Sequence, residues 1–225
     1  MLLMLSGRNA RQYKDVMEAA WRLRHRVFVE KMGWKAVAKP DGREIDQFDT
    51  DEAIHFVGWE KGKAYGYCRL LPTTKPHLLS DVYPEILAGE PVPRGPGVYE
   101  WTRFAVAPEK RDGVSGMDQT TRLLFTGVAE ACLDQGIDEL TVEADPIWLT
   151  RFIELGWRPE PLALPTTYDG RPIVPFKCRV TPATLSTCRQ LLGVGGRVVT
   201  NLDDEEVRIP VPPAEAPALR VERRH

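Results

Sequence analysis

At 225 residues and 25.4 kDa, 43% of it hydrophobic, the chain suits one domain with at most an appendage. A net charge of −2, with acids and bases interspersed, gives no reason to expect nucleic acid. No apolar run is long enough to span a bilayer, and Met1–Ser6 is too short for a signal peptide, so a cytoplasmic protein with no membrane contact is expected.

Met1–Ser6 reads as a short strand. A helix is predicted from Asn9 to Met32, where Val16, Ala20, Leu23 and Val27 recur at helical spacing and mark the inward stripe. Gly33 is placed to stop it, and Trp34 follows directly. Residues 35–51 are polar and aperiodic, with a turn at Pro40-Asp41-Gly42. Ile54–Glu60 and Ala64–Leu71 read as a hairpin around Lys61-Gly62-Lys63. Pro72–Pro96 is prolyl and irregular, Val98–Val106 a strong strand, and a glycine-bearing loop then leads into a helix near Met117–Gln135. Glu139–Ala144 is a strand, Pro146–Leu155 a helix opened by proline, and Ile173–Val180 a late strand. The order predicts a mixed α/β (α+β) layer domain over residues 1–200. From Asn201 to His225 the chain turns acidic, then proline-rich, and reads as a tail or surface arm.

Cys68, Cys132, Cys178 and Cys188 are far apart with no C-x-x-C pair, which favours buried, reduced thiols over a cysteine nucleophile. The four histidines show no metal-ligand spacing, and no metal site is expected.

The informative feature is charge in the wrong place. Met17, Trp21, Arg24 and Phe28 form the helical stripe beside the inward one, so a guanidinium sits at the edge of the core. It is tolerated there only if carboxylates meet it. Asp46, Asp49 and Glu100 are the expected carboxylates. Glu100 and Arg103 are three apart on one strand and so face opposite sides unless a bulge or splay lies between them. Arg69 shares its face with Tyr65, Tyr67 and Leu71, which suits a polar ligand against aromatic walls. Taken residue by residue, Phe28 and Trp34 also read as packing, and Arg24, Asp49, Glu100 and Arg103 as a structural salt-bridge network.

These residues stand in a longer pattern: Arg24-His25-Arg26-Val27-Phe28, Gly33-Trp34, Glu44-Ile45-Asp46-Gln47-Phe48-Asp49, Arg69-Leu70-Leu71-Pro72 and Glu100-Trp101-Thr102-Arg103-Phe104. Over about residues 20–110 the pattern resembles the acyl-homoserine-lactone synthases, which make bacterial quorum-sensing signals. At Trp101 it resembles the subgroup that uses branched or aryl acyl-CoA donors such as isovaleryl-CoA. The resemblance implies a GNAT-like three-layer fold, with a mixed sheet, a splayed central strand and helices on both faces. It also implies a reaction: the α-amine of S-adenosylmethionine attacks an acyl thioester, and lactonisation then releases methylthioadenosine. Both molecules are substrates, and no cofactor is expected.

On that resemblance, Arg24, Phe28, Trp34, Asp46, Asp49, Arg69 and Arg103 bind S-adenosylmethionine. Glu100 is the candidate general base, acting through water, with Arg103 beside it as a catalytic group. Strand N–H groups near Arg103 and Phe104 face the thioester oxygen. Trp101 and Thr102 depart from the small residue and the serine frequent there. The indole either shortens the acyl pocket or turns outward to cap the loop. Thr102, Phe104, Thr141, Trp148 and Phe152 are further pocket candidates, Phe152 also reading as core. The loop after Val106, with Lys110, Arg111 and the turn Asp112–Gly116, resembles the GNAT phosphate-binding turn, or is a basic surface loop. An acyl-carrier-protein donor would need a basic patch, for which Lys110, Arg111, Arg122, Arg151 and Arg158 are available. Two other readings remain: a GNAT N-acyltransferase acting on another amine, and a non-catalytic binding module.

Overall fold

The structure is a computed structural model that describes residues 1–111 and 118–204. The chain opens with β1 (Leu2–Ser6) and a 3-10 turn over Gly7–Asn9. The helix α1 (Lys14–Arg24) then continues as a π-helical stretch, His25–Lys31. The predicted start at Asn9 is therefore five residues too early. Gly7 N–H bonds Ala53 O and Arg8 N–H bonds Asp51 O, which ties this stretch to the approach to the next strand before a helix can begin. The inward stripe is as expected: Val16, Ala20, Leu23 and Val27 are buried, with Met17, Arg24 and Phe28 beside them.

The hairpin β2 (Ile54–Glu60) and β3 (Lys63–Pro72) follows, then α2 (Leu78–Asp81) within the prolyl stretch, and β4 (Val98–Val106). Next come α3 (Gln119–Gln135), β5 (Glu139–Ala144), α4 (Ile147–Glu154), β6 (Pro159–Pro161), β7 (Thr166–Tyr168), β8 (Arg171–Arg179), α5 (Pro182–Leu192) and β9 (Val199–Asn201). The sheet runs β6-β8-β5-β4-β3-β2-β1-β9, with β7 hairpinned on β8. The parallel pairs are β4 with β5 and β1 with β9.

One apolar cluster packs α3, α4 and α5 on one face, with Phe56, Leu70, Trp101 and Phe176 among its strand residues. A second packs α1 on the other face against Leu3, Val57, Tyr67 and Ala105. Helices thus cover both faces of a mixed sheet, as expected.

Five elements went unread in the sequence: α2, β6, β7, α5 and β9. For α5 the signals were present: Thr181 caps it by accepting Thr184 N–H at 3.1 Å, Pro182 opens it, and Gly193 closes it at φ +78°. The three-residue strands β6 and β9 are too short for a period-2 signal. β9 also moves the start of the expected tail. Asn201 pairs with Met4, Leu202 is 2% exposed, and Ser6 N–H donates to the Asp203 carboxylate at 3.0 Å. The sheet therefore holds the chain through these positions, and residues 205–225 of the expected arm lie outside the described ones.

The central strand carries the device that positions the site. β4 pairs with β3 as Leu71↔Glu100, Leu70↔Trp101 and Arg69↔Thr102, then resumes at Tyr67↔Ala105. Arg103 and Phe104 thus oppose the single residue Cys68, a β-bulge with Arg103 at φ +56°. The extra residue turns Arg103 onto the face of Thr102, Arg69 and α1, and leaves Phe104 with the α3 cluster. Pairing of β4 with β5 ends at Glu100↔Thr141, so the two parallel strands part beyond it. Both the bulge and the splay follow the expectation from strand parity.

Candidate active site

Three arginines and three carboxylates close a network between α1, the 44–49 loop, β3 and β4. Arg24 donates from Nε to Glu44 at 2.5 Å, grips Asp49 at 2.7 and 3.0 Å, and reaches the Tyr67 hydroxyl at 3.2 Å. Arg69 binds Asp46 at 2.7 and 3.0 Å, Asp49 at 2.8 Å and Thr102 Oγ1 at 3.1 Å. Arg103 holds Asp46 at 2.6 Å and Glu44 at 3.3 Å. Arg24, Glu44 and Arg69 are fully buried, and the opposite charges balance, which makes that burial tolerable. Burial works against the charged forms of Asp46 and Asp49, yet Arg69, with Arg103 and Arg24, holds both below the usual carboxylate range.

The partners of Arg24 correct the expected set. Glu44 and Asp49 meet it, whereas Asp46 belongs to Arg69 and Arg103. Glu100 turns away altogether: its two oxygens accept Leu78 N–H at 2.9 Å and Leu79 N–H at 2.6 Å at the start of α2. Glu44 was not singled out, because its motif reads equally as loop; only the fold brings it between two guanidiniums.

His55, also missed, is 1% exposed, and its Nδ1 shares a 2.7 Å hydrogen bond with the Tyr67 hydroxyl. Burial, reinforced by Arg69 and Arg24, pushes its pKa down to about 3. A histidine held neutral in the fold stabilises fully above its unfolded pKa of about 6.5 and progressively less below it. His55 alone therefore takes about 2 kcal/mol off the stability between pH 6.5 and 5, while Glu100 and Glu143, whose carboxyls burial raises, act in the opposite direction. Asp46 and Asp49 add nothing in that window, since depressed carboxylates lose their contribution only below about pH 4. Denaturant titrations at the two pH values check this: relative to the wild type, His55→Gln should be more stable at pH 5 than at pH 6.5 by about 2 kcal/mol, and an unchanged slope would exclude His55.

Beside the network lies a cavity of about 400 Å³ that opens where β4 and β5 part. At one end Phe28, from the π-helical stretch, stacks on Trp34 with centroids 4.9 Å apart and planes at 15°. Gly33 at φ +73° makes the turn that returns Trp34, whose N–H bonds Phe28 O at 2.8 Å. The Arg103 guanidinium sits 5.8 and 5.7 Å from the two ring centroids. An ion-paired cation thus lies against an aromatic wall at the edge of the cavity.

The other end is an aromatic slot. Trp101, Phe104, Phe125, Trp148 and Phe152 line it with Val142. Trp101 is 5% exposed and packs on Phe125 at 4.7 Å, Phe152 at 5.5 Å and Trp157 at 5.5 Å. The indole is therefore turned inward to the cavity and does not cap the loop. Phe125 was missed because an aromatic on α3 reads as ordinary core.

Of the residues expected to bind S-adenosylmethionine, Phe28, Trp34 and Arg103 line the cavity. Arg24, Asp46, Asp49, Arg69 and Glu100 are not in its wall; Asp46 holds Arg103 from behind and is itself held by Arg69, which with Arg24 binds Asp49, while Glu100 ties to the start of α2. Thr102 lines it, while Thr141 is buried without doing so. Arg111 and Arg151 lie in the cavity wall, Arg151 stacked over Trp148 at 4.9 Å. Lys110 is instead paired with Glu60 at 2.9 Å and lies over Tyr65. The turn Asp112–Gly116 lies outside the described residues. Arg122 bonds Leu191 O at 3.0 Å, and Arg158 is exposed.

Tyr83 and Glu143 complete the wall next to Glu100. Burial raises Glu100 to about 7 against the pull of its two N–H donors and of Arg69 and Arg103. Burial also raises Glu143, helped by the charge of Glu100 and the hydrogen bond the two carboxyls share. All four cysteines are free and buried, and burial lifts their thiols, which leaves none suited to nucleophilic work. Among the described residues, no group of His, Cys, Asp and Glu is arranged to hold a metal, and no helix is long and apolar enough to cross a membrane.

A family model for autoinducer synthases matches residues 8–174. The isovaleryl-homoserine lactone synthase of Bradyrhizobium diazoefficiens is 34% identical over 194 residues, 86% of each chain. An acyl-homoserine-lactone synthase of Ralstonia nicotianae is 34% identical over 184 residues, covering 78% of this chain and 86% of that one. Among solved structures, the CoA-dependent acyl-homoserine lactone synthase BjaI, with SAM and isopentyl-CoA, superposes with a TM-score of 0.83 at 33% identity over 89% of this chain and 92% of that chain. The CoA-dependent synthase MesI does so at 0.79 and 30% identity, covering 88% and 98%. An N-acetyltransferase from Lactobacillus plantarum, at 0.52 and 22% identity, shares the fold.

Proposed function

We propose, for a chain that belongs to the autoinducer synthase family, transfer of an acyl group from an acyl-CoA thioester to the amine of S-adenosylmethionine, followed by lactonisation that releases methylthioadenosine. The observation that carries this is one cavity with two unlike ends at the parting of β4 and β5. The Phe28–Trp34 wall and the Arg103 guanidinium suit a ligand with both cationic and carboxylate groups. The slot around Trp101 suits a short or branched acyl chain. Arg111 and Arg151, also in the wall, offer guanidinium groups suited to the phosphates of CoA. Arg24, Asp46, Asp49 and Arg69 act on S-adenosylmethionine through Arg103, by holding its guanidinium and the bulge in place.

The test is the product. With isovaleryl-CoA and S-adenosylmethionine, mass spectrometry should find the acyl-homoserine lactone and equimolar methylthioadenosine. An acyl amide without methylthioadenosine would instead indicate an N-acyltransferase, and turnover with acyl carrier protein alone a different donor.

Acyl selectivity gives a second expected result. Trp101→Leu lengthens the slot by removing ring atoms that abut Phe125 and Phe152. Because one methylene in an apolar pocket is worth about 10- to 200-fold, kcat/KM for an octanoyl donor should rise at least about tenfold relative to isovaleryl. Competition between the two donors measures it.

A further inference from the structure

We propose that Glu143 of β5 is the catalytic residue that takes the proton from the attacking amine, with Glu100 behind it as the positioning residue that shares the pair's single negative charge. This rests on the acyl-transfer reading and names the group that performs its first step.

Glu100 cannot meet a ligand directly. It is 0% exposed, lies outside the cavity wall, and has both oxygens committed to Leu78 and Leu79 N–H. Glu143 is in the wall. On β5 it stands two residues beyond Thr141, the last residue paired to Glu100, and so on the same face, in the wedge where the strands have parted. Its carboxyl shares a hydrogen bond with Glu100, yet its Oε1 is sequestered from solvent and bonds nothing. Two ionised carboxylates have only acceptors, so that shared bond requires a proton between them. The pair then carries one proton and one negative charge, and Glu143 is its member in the cavity wall.

The other groups around it do not compete. The Tyr83 hydroxyl is held protonated by burial and by both acids. Arg103 is occupied by Asp46 and Glu44. Asp145 is exposed and caps Ile147 N–H at 3.0 Å.

The step balances. One proton passes from the ammonium to the Glu143 carboxylate while the shared proton moves to Glu100, leaving a neutral amine and a neutral pair. The nitrogen lone pair forms the N–C bond with the thioester carbon. The C–S bond breaks with its electrons on sulfur, which leaves as the CoA thiol with a second nitrogen proton. The pair then returns its proton to water.

The experiment measures kcat and the KM for S-adenosylmethionine from pH 6.5 to 8.5, with an acyl-CoA that the wild type uses. E143Q keeps the shape and a hydrogen bond to Glu100 but accepts no proton. Its kcat should fall about 10²-fold, with KM within about threefold. The deficit should shrink as pH approaches about 8, where an α-amine loses its proton in solution. A kcat within about threefold of wild type, or a deficit constant across pH, overturns the proposal. Should E143Q fail to fold, E143A with added formate carries the test: turnover restored at least about tenfold supports it, and no restoration overturns it. A wild type that releases no methylthioadenosine with any acyl donor would overturn the functional reading itself, a result distinct from either variant's.

Discussion

Glu100→Gln is expected to lower kcat by about 10²- to 10⁴-fold, the range that general-base catalysis contributes. Glutamine preserves the volume and leaves one oxygen for the N–H groups of Leu78 and Leu79. What it removes is the partner that takes up the shared proton as the amine's proton reaches Glu143. Burial raises the carboxyl to about 7, so in the wild type the pair is ionised above that pH and turnover should climb through it. The variant should stay low and flat over the same range. Above pH 6.5 the buried His55 is neutral whether the chain is folded or unfolded, so the profile reports the acids and not stability. Methylthioadenosine release from pH 6.5 to 8.5 measures both, and wild-type turnover by the variant would remove the charge of Glu100 from the reaction.

The largest loss of stability is expected at Arg69→Ala. This fully buried guanidinium joins Asp46, Asp49 and Thr102 and so ties β3 to both the 44–49 loop and the bulged strand. Its removal leaves two carboxylates short of a counter-charge out of water, a change that costs about 3–5 kcal/mol. For a domain of this size that is a fall of about 6–20 °C in Tm. Lysine should not rescue it, because a point charge cannot bridge both aspartates and the threonine at once. Adding Asp46→Asn and Asp49→Asn to the variant should recover part of the loss by removing the stranded charges. Calorimetry checks the series, and a fall below about 3 °C for Arg69→Ala would mean that the network is not buried as described.

Much of the site was legible because the chemistry needed particular residue types at unusual places. Arg24 on a helical stripe beside Val16, Ala20 and Leu23 demanded carboxylates, and two spaced aspartates lay downstream. The three-residue gap between Glu100 and Arg103 demanded a bulge, and Arg103 and Phe104 do oppose Cys68 alone. The long periodic segments, α1, α3 and β5, were legible for the same reason: many residues repeat one pattern. The short strands β6 and β9, of three residues each, repeat nothing.

The sequence by itself determined the α/β class, the family pattern and the list of charged residues, since all three rest on residue type and spacing along the chain. Which charges line the cavity was set by the tertiary structure. Hydrogen-bond partners are chosen by distance in space, and a carboxylate is equally at home on a guanidinium, a helix start or a second carboxyl. Glu44 thus came to Arg24 where Asp46 was expected, Glu100 was drawn to the start of α2, and Glu143, unremarkable in the chain, was left on the cavity side with an oxygen unused. The bulge and the parting of β4 from β5 made that difference, because they alone set which face of the strand each side chain takes.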